Sequence, residues 1–459
     1  MMLSPLWPAR PVRPMVPLLW KIAGGVLLFV VTAFVTLQFM PSQERVGPRT
    51  IGNDFLPSFA AGLMVREGQG DQIYNPYAVT RVVRAIWEIH FPGAEASSGL
   101  AAWLNPPFFA FLFAPLTGLP YPQALGVWIA INFCLTIAGC ALLIRLLPAN
   151  SPLAVKALVP VLVVSSFPFV RTMTHQQNTM LSLAILAGAL VLTMRALARE
   201  ASESPGRARL AYATGTVAGL LLFKPQLAAV TILALAVVVG FRVLLGAIYT
   251  GALLLAVQEW VIPGAAWQFL LEMPPILDRL HERQNYHWDR HVTLHSFWRM
   301  LIQGTETGPT GLAVKVLWMA SLAAVGLWLA RAAWTANRAS NPITARRWLA
   351  AAICAMPLVM PYFMDYDLLL LATAAALLAG DLNAKATTSI SDRRLSWAWV
   401  ALAAWQAMPM STASWRVNIT AVLLTLVTAM MIRRVKPDAA VEETATMKIE
   451  PPRDVRMAA

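Results

Sequence analysis

Apolar and polar residues follow one another along the chain in long blocks rather than at short intervals. Most apolar blocks hold about 16 to 25 residues, the length that a helix needs to cross a bilayer core about 30 Å thick. The pattern therefore predicts an all-α polytopic membrane protein with about 12 transmembrane helices. They are expected near residues 18–40, 122–144, 153–170, 177–194, 210–223, 225–240, 243–262, 312–334, 348–364, 366–381, 395–411 and 417–432.

Composition and charge agree with a membrane protein. Hydrophobic residues make up 58% of the chain and charged residues only 13%, against about a quarter in soluble proteins. The net charge of +13 is explained by the excess of Lys and Arg in cytoplasmic connections, so no nucleic-acid partner is expected. Arg clusters in 195–209 and 331–347 place both termini in the cytoplasm of a bacterial-type plasma (inner) membrane.

Two blocks do not fit a simple count of crossings. The stretch 106–120 is short and contains Pro115, so it is interpreted as re-entrant or as a short helix packed against protein. The stretch 210–240 is interpreted as two short spans, because Lys224-Pro225 divides it. This places Lys224 at the outer face.

The chain is interpreted as one transmembrane domain, 1–435, with a disordered cytoplasmic tail, 436–459, rich in Glu, Lys and Pro. The first outer loop, 41–121, includes the re-entrant stretch, and the second large outer loop is 263–311. Chemistry is expected on this outer face.

Asp54 follows the first predicted span. A carboxylate near the bilayer surface suits general-base chemistry on a sugar hydroxyl, and the alternative is a cap for the helix that follows. That helix, from Phe55 to Val65, is expected to lie in the membrane interface.

Lys224 is a lone cation in an apolar stretch. An ionisable side chain at such a position in a membrane protein is energetically costly and usually indicates a functional role. Lys224 is a candidate for binding the phosphate of a lipid carrier, and the alternative is a side chain that reaches to the interface. Gln176 and Gln177 open the predicted span 177–194 on the same face, right after Arg171. Amides read sugar hydroxyls, but they are also ordinary helix-start residues.

Asp365 and Asp367 flank Tyr366 between two predicted spans. Two carboxylates there suit binding of a sugar or a cation. The alternative is a polar turn in which Asp367 caps the second helix.

His287, His291 and His295 are spaced so that a helix would place all three on one face. An i, i+4 pair is a zinc geometry, but the motif has no acidic partner and several Arg residues lie nearby. A basic interfacial helix that touches donor phosphate or anionic lipid is favoured, with His291 and His295 as candidates for donor binding and no metal ligands. No phosphate-cradling glycine loop is found.

Several short motifs occur in an order that resembles the C-type membrane glycosyltransferases that use polyprenyl-phosphate sugars, most closely glycosyltransferase family 87. They are Gly52-Asn-Asp-Phe, Ile73-Tyr-Asn-Pro, Leu104-Asn-Pro-Pro-Phe-Phe, Ala114-Pro-Leu, Gln176-Gln-Asn-Thr, Gly219-Leu-Leu-Leu-Phe-Lys-Pro-Gln and Pro361-Tyr-Phe-Met-Asp-Tyr-Asp.

The resemblance implies a C-type fold with catalytic outer loops and a single inverting displacement. Asp54 would be the base and Lys224 would bind the donor phosphate. The donor would be a polyprenyl-phosphate hexose, with mannose one candidate, although this chain has Tyr366-Asp367 where family mannosyltransferases often carry His.

The acceptor would be a glycolipid or a polysaccharide, with a protein acceptor also open, and the other expected partners are membrane lipids. No cofactor is expected, and a divalent metal stays open. The rival interpretation is a transporter or flippase for a lipid-linked sugar, because intramembrane charges and Pro-broken spans also occur in transporters.

Overall fold

The protein is described here from a computed structural model. It describes residues 54–90, 100–199, 205–283, 286, 288–304, 306–339, 341–383, 389–407 and 416–436. Within these ranges the chain forms α-helices joined by short turns and 3-10 segments, with an isolated bridge between His291 and Met364 instead of a sheet. The first predicted span and nearly all of the predicted tail lie outside the described residues.

The helices are numbered in chain order. They are α1 Phe55–Arg66, α2 Pro76–His90, α3 Pro107–Ala110, α4 Tyr121–Leu146, α5 Leu153–Val164, α6 Phe167–His175, α7 Thr179–Leu197, α8 Pro205–Gly219, α9 Pro225–Val239, α10 Arg242–Val261, α11 Ala265–Arg283, α12 Leu294–Gln303, α13 Leu312–Ala339, α14 Pro342–Val359, α15 Leu371–Asn383, α16 Ile390–Ala407 and α17 Ile419–Ile432.

The predicted all-α polytopic class is confirmed, but the number of crossings is not. Among the described residues four helices are long and apolar enough to span a membrane, namely α4, α7, α10 and α13. A fifth span results if α5 and α6, bent by 49°, are counted as one broken crossing. Several other predicted spans are shorter helices. The 15 residues of α9, for example, rise only about 22 Å against a core of about 30 Å.

The two irregular blocks have the local structure that the sequence predicted. The stretch 106–120 contains only α3 and a 3-10 turn, Ala114–Gly118, and its Phe109 and Phe113 rings pack on Trp103 and each other. The chain after α8 passes through a 3-10 turn, Leu220–Phe223, and α9 begins directly after Lys224.

Helix α1 corrects one expectation, because it lies in the core and not in the membrane interface. Phe55, Phe59 and Met64 are all buried. The Phe55 ring stacks on Trp128 of α4, with the ring centroids 6.0 Å apart. This packing fixes the start of α1, where Asp54 lies.

Helices α8 and α10 cross at close range through glycine. A Cβ atom added at Gly215 would lie 2.0 Å from the carbonyl oxygen of Val243, and one added at Gly246 would lie 2.2 Å from that of Tyr212. Small residues permit such backbone contact between membrane helices. The glycines of this region therefore serve helix packing.

A buried ionic cluster joins the start of α14, the end of α15, α16 and the residues after α17. The Arg347 Nε atom lies 3.2 Å from Asp381 Oδ1, and Arg434 pairs with both Asp381 and Asp392. We call it the basal cluster. Because α14 runs from Arg347 toward Asp365 and α15 returns to Asp381, the basal cluster lies at the opposite end of these helices from Asp365 and Asp367.

Candidate functional site

Five connections bring charged and polar side chains together at one end of the helices. Asp54 precedes α1, His175 and Gln177 lie where α6 meets α7, and Lys224 precedes α9. Arg290 ends the 3-10 turn Trp288–Arg290, and the turn Asp365–Leu370 joins α14 to α15. We call this set the site cluster; its members are Asp54, Arg171, His175, Gln177, Thr179, Lys224, Arg290, Asp365, Tyr366 and Asp367.

Asp54 stands at the start of α1, but its carboxylate does not cap that helix. Its Oδ2 atom instead accepts a hydrogen bond from Gln177 Nε2 and lies 3.6 Å from His175 Nδ1. The Asp54 side chain is 40% exposed. The capping alternative is therefore wrong, and the carboxylate faces Gln177 and His175 of the site cluster.

Asp365 is held by guanidinium groups. Arg290 donates to both of its oxygens, at 3.2 and 3.1 Å, and Arg171 Nε lies 3.9 Å from Oδ2. Burial alone would lower the pKa of Arg290, but the facing Asp365 carboxylate outweighs burial and leaves that pKa raised. Arg290 and Asp365 thus form a persistent bidentate pair.

Lys224 is held by Asp367. The Nζ atom lies 2.7 Å from Asp367 Oδ1, and both side chains are only 12% exposed. Thr179 at the start of α7 donates to the same oxygen at 2.8 Å. The Lys224 amine is therefore engaged inside the protein, and among the described residues the Asp367 Oδ1 atom accepts from Lys224 and Thr179 instead of capping a helix.

Tyr366 joins these two ion pairs. Its backbone N–H donates to Asp365 Oδ1 at 2.8 Å. Its ring lies 5.7 Å from Lys224 Nζ and 5.9 Å from the Arg290 guanidinium carbon, within the range of cation–π attraction. The two pairs therefore meet at one half-buried ring, and Asp54 interacts electrostatically with Arg290 and Tyr366.

Gln176 does not face the site cluster, although the sequence made it a candidate sugar-binding residue. Its side chain is buried, accepts from Asn132 Nδ2 at 3.1 Å and donates to the Met173 carbonyl. Its own carbonyl accepts from Trp128 Nε1 at 3.1 Å. All of these hydrogen bonds lie inside the helix packing, so we leave Gln176 out of the site.

His291 and His295 do not share the predicted helical face. His291 lies in the bridge to Met364, α12 begins only at Leu294, and His287 lies outside the described residues. Aromatic contacts override the helical spacing here, because Trp288 packs on both imidazoles and Trp318 stacks on His295.

This aromatic surrounding changes the chemistry of the histidines. Burial lowers the pKa of His281 and of His295 to about 4, so both are neutral at pH 7 and attract no phosphate. Among the described residues no group of three His, Cys, Asp or Glu side chains is placed to hold a metal ion. We therefore leave His295 out of the donor site. His291 is left out as well, because it is buried and its Nε2 atom lies 2.6 Å from the Tyr286 hydroxyl.

Sequence reasoning missed four members of the site cluster, which are His175, Thr179, Arg290 and Tyr366. Arg290 was counted only as one of several basic residues in the second outer loop. Its bidentate partner lies 75 positions away in the sequence, so no local spacing shows the pair. Tyr366 was visible only as the residue between two aspartates.

An apolar groove leads to the site cluster. It encloses about 430 Å³ between α4, α5, α15 and α16, and its lining includes Leu158, Phe167, Leu368, Ala375 and Trp399. The Phe167 ring lies 4.9 Å from the Arg171 guanidinium carbon, and Leu368 directly follows Asp367. One end of the groove therefore lies beside the cations of the site.

Comparison with known proteins identifies a family. The family model described as glycosyltransferase family 87 matches residues 103–361. The matched stretch contains Arg171, Gln177, Lys224 and Arg290, whereas Asp54 lies before it. No curated protein and no solved structure matches the chain.

Proposed function

The chain belongs to glycosyltransferase family 87, and from this premise we propose that it moves a hexose from a polyprenyl-phosphate carrier to a glycolipid or polysaccharide acceptor. The family indicates a glycosyltransferase, and the apolar helices make it a membrane protein. The carrier, the hexose, the acceptor and the periplasmic face are parts of the proposal.

One observation carries the proposal. The site cluster has three carboxylates, and two of them are paired with permanent cations, Asp365 with Arg290 and Asp367 with Lys224. Asp54 is held by a neutral amide and approached by an imidazole. A general base must be free to accept a proton, so Asp54 is the carboxylate best suited to that role.

The proposed reaction is a single displacement with inversion. The acceptor hydroxyl gives its proton to Asp54 as its oxygen forms a bond to the anomeric carbon. The bond from that carbon to the phosphate oxygen breaks on the opposite side, and the electron pair leaves with the phosphate.

Arg171 is the cation that we assign to the leaving phosphate. Lys224 and Arg290 are strongly paired and mostly buried. The Arg171 side chain is 38% exposed and stacks on the Phe167 ring, and among the described residues its one ion contact is the 3.9 Å approach to Asp365. A guanidinium can stabilise the charge that develops on the phosphate. Lys224, which the sequence favoured, would act by holding Asp367.

The apolar groove supports a lipid-linked donor. A polyprenyl tail in the groove, with its phosphate at Arg171, would pass the Phe167 ring, which contacts both regions. This arrangement would place the sugar near Asp54. It also distinguishes a lipid-linked donor from a soluble nucleotide sugar, which needs no apolar groove.

The C-type fold, about twelve crossings and cytoplasmic termini stay parts of the proposal. Two charged clusters at opposite ends of α14 and α15 support the proposed orientation across the membrane, because each cluster would lie near one membrane surface. The site cluster would face the periplasm of a bacterial-type inner membrane, and the basal cluster would face the cytoplasm.

The test is sugar transfer by the purified protein from a panel of radiolabelled polyprenyl-phosphate hexoses to a membrane glycolipid extract. Asp54→Asn keeps the shape of the side chain and removes its basicity, so we expect transfer to fall by about 100-fold or more, within the range for general-base catalysis. The matched control is Asp71→Asn, an exposed aspartate in the turn Gly70–Gln72, which should leave transfer unchanged.

Equal transfer by the wild type and Asp54→Asn would remove Asp54 as the base and leave the transferase intact. Transfer from a nucleotide sugar in place of every lipid-linked donor would overturn the carrier. Movement of an unaltered lipid-linked sugar across vesicles, with no transfer, would favour the transporter interpretation.

A further inference from the structure

The turn between α6 and α7 has an unusual backbone. Gln176 adopts a left-handed backbone conformation, with φ 57° and ψ 44°. Residues other than glycine rarely adopt this conformation. The Gln177 N–H donates to the Thr172 carbonyl at 3.0 Å and closes the turn. Conformations of this kind persist where the surroundings fix them, and they often lie at functional sites.

The surroundings of Gln176 fix it from three sides. Trp128 donates to its carbonyl, Asn132 donates to its side-chain oxygen, and its amide nitrogen donates to Met173. Because Gln176 is held this firmly, the residues before and after it have defined directions. His175 and Gln177 both point to Asp54.

Both residues approach the same atom of Asp54. Gln177 Nε2 donates to Oδ2, and His175 Nδ1 lies 3.6 Å from Oδ2. The Asp54 backbone N–H also donates to the His175 carbonyl at 3.2 Å. Within the described part of the chain, no group donates a hydrogen bond to Asp54 Oδ1.

We propose that this turn is a positioning device for the base: Gln177 and His175 hold Asp54 Oδ2 so that Oδ1 faces the acceptor hydroxyl. The inference rests on the proposed role of Asp54. It gives Gln177 a task different from the sugar contact that the sequence suggested. An amide suits the task, because it orients a carboxylate without a permanent positive charge that would oppose proton acceptance.

Kinetics of Gln177→Leu test the proposal. Leucine fills a similar volume and donates no hydrogen bond, so Asp54 loses its fixed orientation. We expect kcat to fall by about 10- to 100-fold, since small misplacements of a reacting group have effects of this size. The KM for the polyprenyl-phosphate donor should stay within about twofold, and Gln123→Leu, on the exposed side of α4, is the control.

A pH profile of Gln177→Glu keeps the proposal testable if the leucine variant is unstable. A glutamate facing Asp54 donates only when the two carboxyls share a proton, which becomes more frequent as the pH falls. The kcat optimum should therefore move to lower pH than in the wild type. The other charged or titratable groups around Asp54 are His175, Arg171, Arg290, Asp365 and Tyr366, and they are the same in both proteins.

The outcomes separate the inference from its premise. A donor KM raised by tenfold or more with unchanged kcat in Gln177→Leu would mean sugar contact and would overturn the inference. Unchanged kinetics in Gln177→Leu, with transfer lost in Asp54→Asn, would overturn the inference alone. Retained transfer in Asp54→Asn would overturn the role of Asp54, and the positioning proposal with it.

Discussion

At the residue scale, the Lys224–Asp367 pair is the best place to separate structure from chemistry. Removing one partner of a buried ion pair leaves an uncompensated charge, which costs about 3–5 kcal/mol, whereas replacing both with apolar residues is often neutral. Lys224 and Asp367 are both largely buried and lie 2.7 Å apart, so the rule applies to them.

We therefore expect Lys224→Met to lower the melting temperature in detergent strongly, and Lys224→Met with Asp367→Leu to recover most of the loss. Donor KM in the double variant should stay close to the wild-type value, because Arg171 is the proposed phosphate cation. A double variant that is stable but has a donor KM raised by tenfold or more would instead support phosphate binding by Lys224.

Sequence reasoning identified many residues of the site but few of their partners. Asp54, Lys224 and Asp367 are conspicuous because charged residues are rare beside apolar blocks. Which charge meets which depends on how distant helices pack, as in the pairing of Arg290 with Asp365. The Gln176 side chain points into the helix packing because its backbone is left-handed, and no residue pattern predicted that conformation.

At the element scale, the apolar groove makes a prediction about donor length. Ala375 is partly exposed in the groove wall on α15, and Ala375→Phe would place a ring where the proposed tail lies. We expect donor KM to rise about tenfold or more for a long polyprenyl chain, since a filled groove loses the apolar area that the tail would bury. A short-chain donor should be affected much less.

The control for this substitution is Ala324→Phe, on the exposed side of α13, which adds the same ring at a distance from the groove. Transfer assays with two donors that differ only in chain length provide the measurement. Equal effects of Ala375→Phe on both donors would contradict a tail in the groove.

Helices were easier to predict than spans. The apolar blocks predicted the bounds of α4, α7, α10 and α13 to within a few residues. Each of these helices coincides with one long uninterrupted apolar block. The blocks 153–170, 210–223 and 225–240 were also counted as crossings. The chain breaks at Lys224 and bends between α5 and α6, so each of these helices is shorter than a full span. The histidine spacing failed because Trp288 and its neighbouring rings, and not helical period, determine that segment.

At the scale of the whole molecule, the two charged clusters predict the topology. If the site cluster faces the periplasm, Asp71→Cys in the turn Gly70–Gln72 should react with a membrane-impermeant maleimide added to intact cells. Arg338→Cys, exposed near the end of α13, should react only after the cells are made permeable. Both substitutions are placed in a Cys134→Ala background, because Cys134 is exposed while Cys140 and Cys354 are buried.

Labelling of Arg338→Cys in intact cells, with Asp71→Cys protected, would reverse the orientation. The all-α class and the membrane setting followed from hydropathy alone. The meeting of five connections at one end of the helices did not, because it depends on tertiary packing between segments that are 75 or more residues apart.

The position of the groove also determines which concentration of lipid-linked donor controls the reaction. Its wall includes Leu158 and Leu162 of α5, both nearly half exposed on the apolar outer surface, so a lipid-linked donor would enter sideways from the bilayer. Encounter would then be two-dimensional diffusion within one leaflet. The turnover rate would follow the mole fraction of donor among the surrounding lipids, and adding inert lipid at a fixed total amount of donor would slow the reaction by surface dilution.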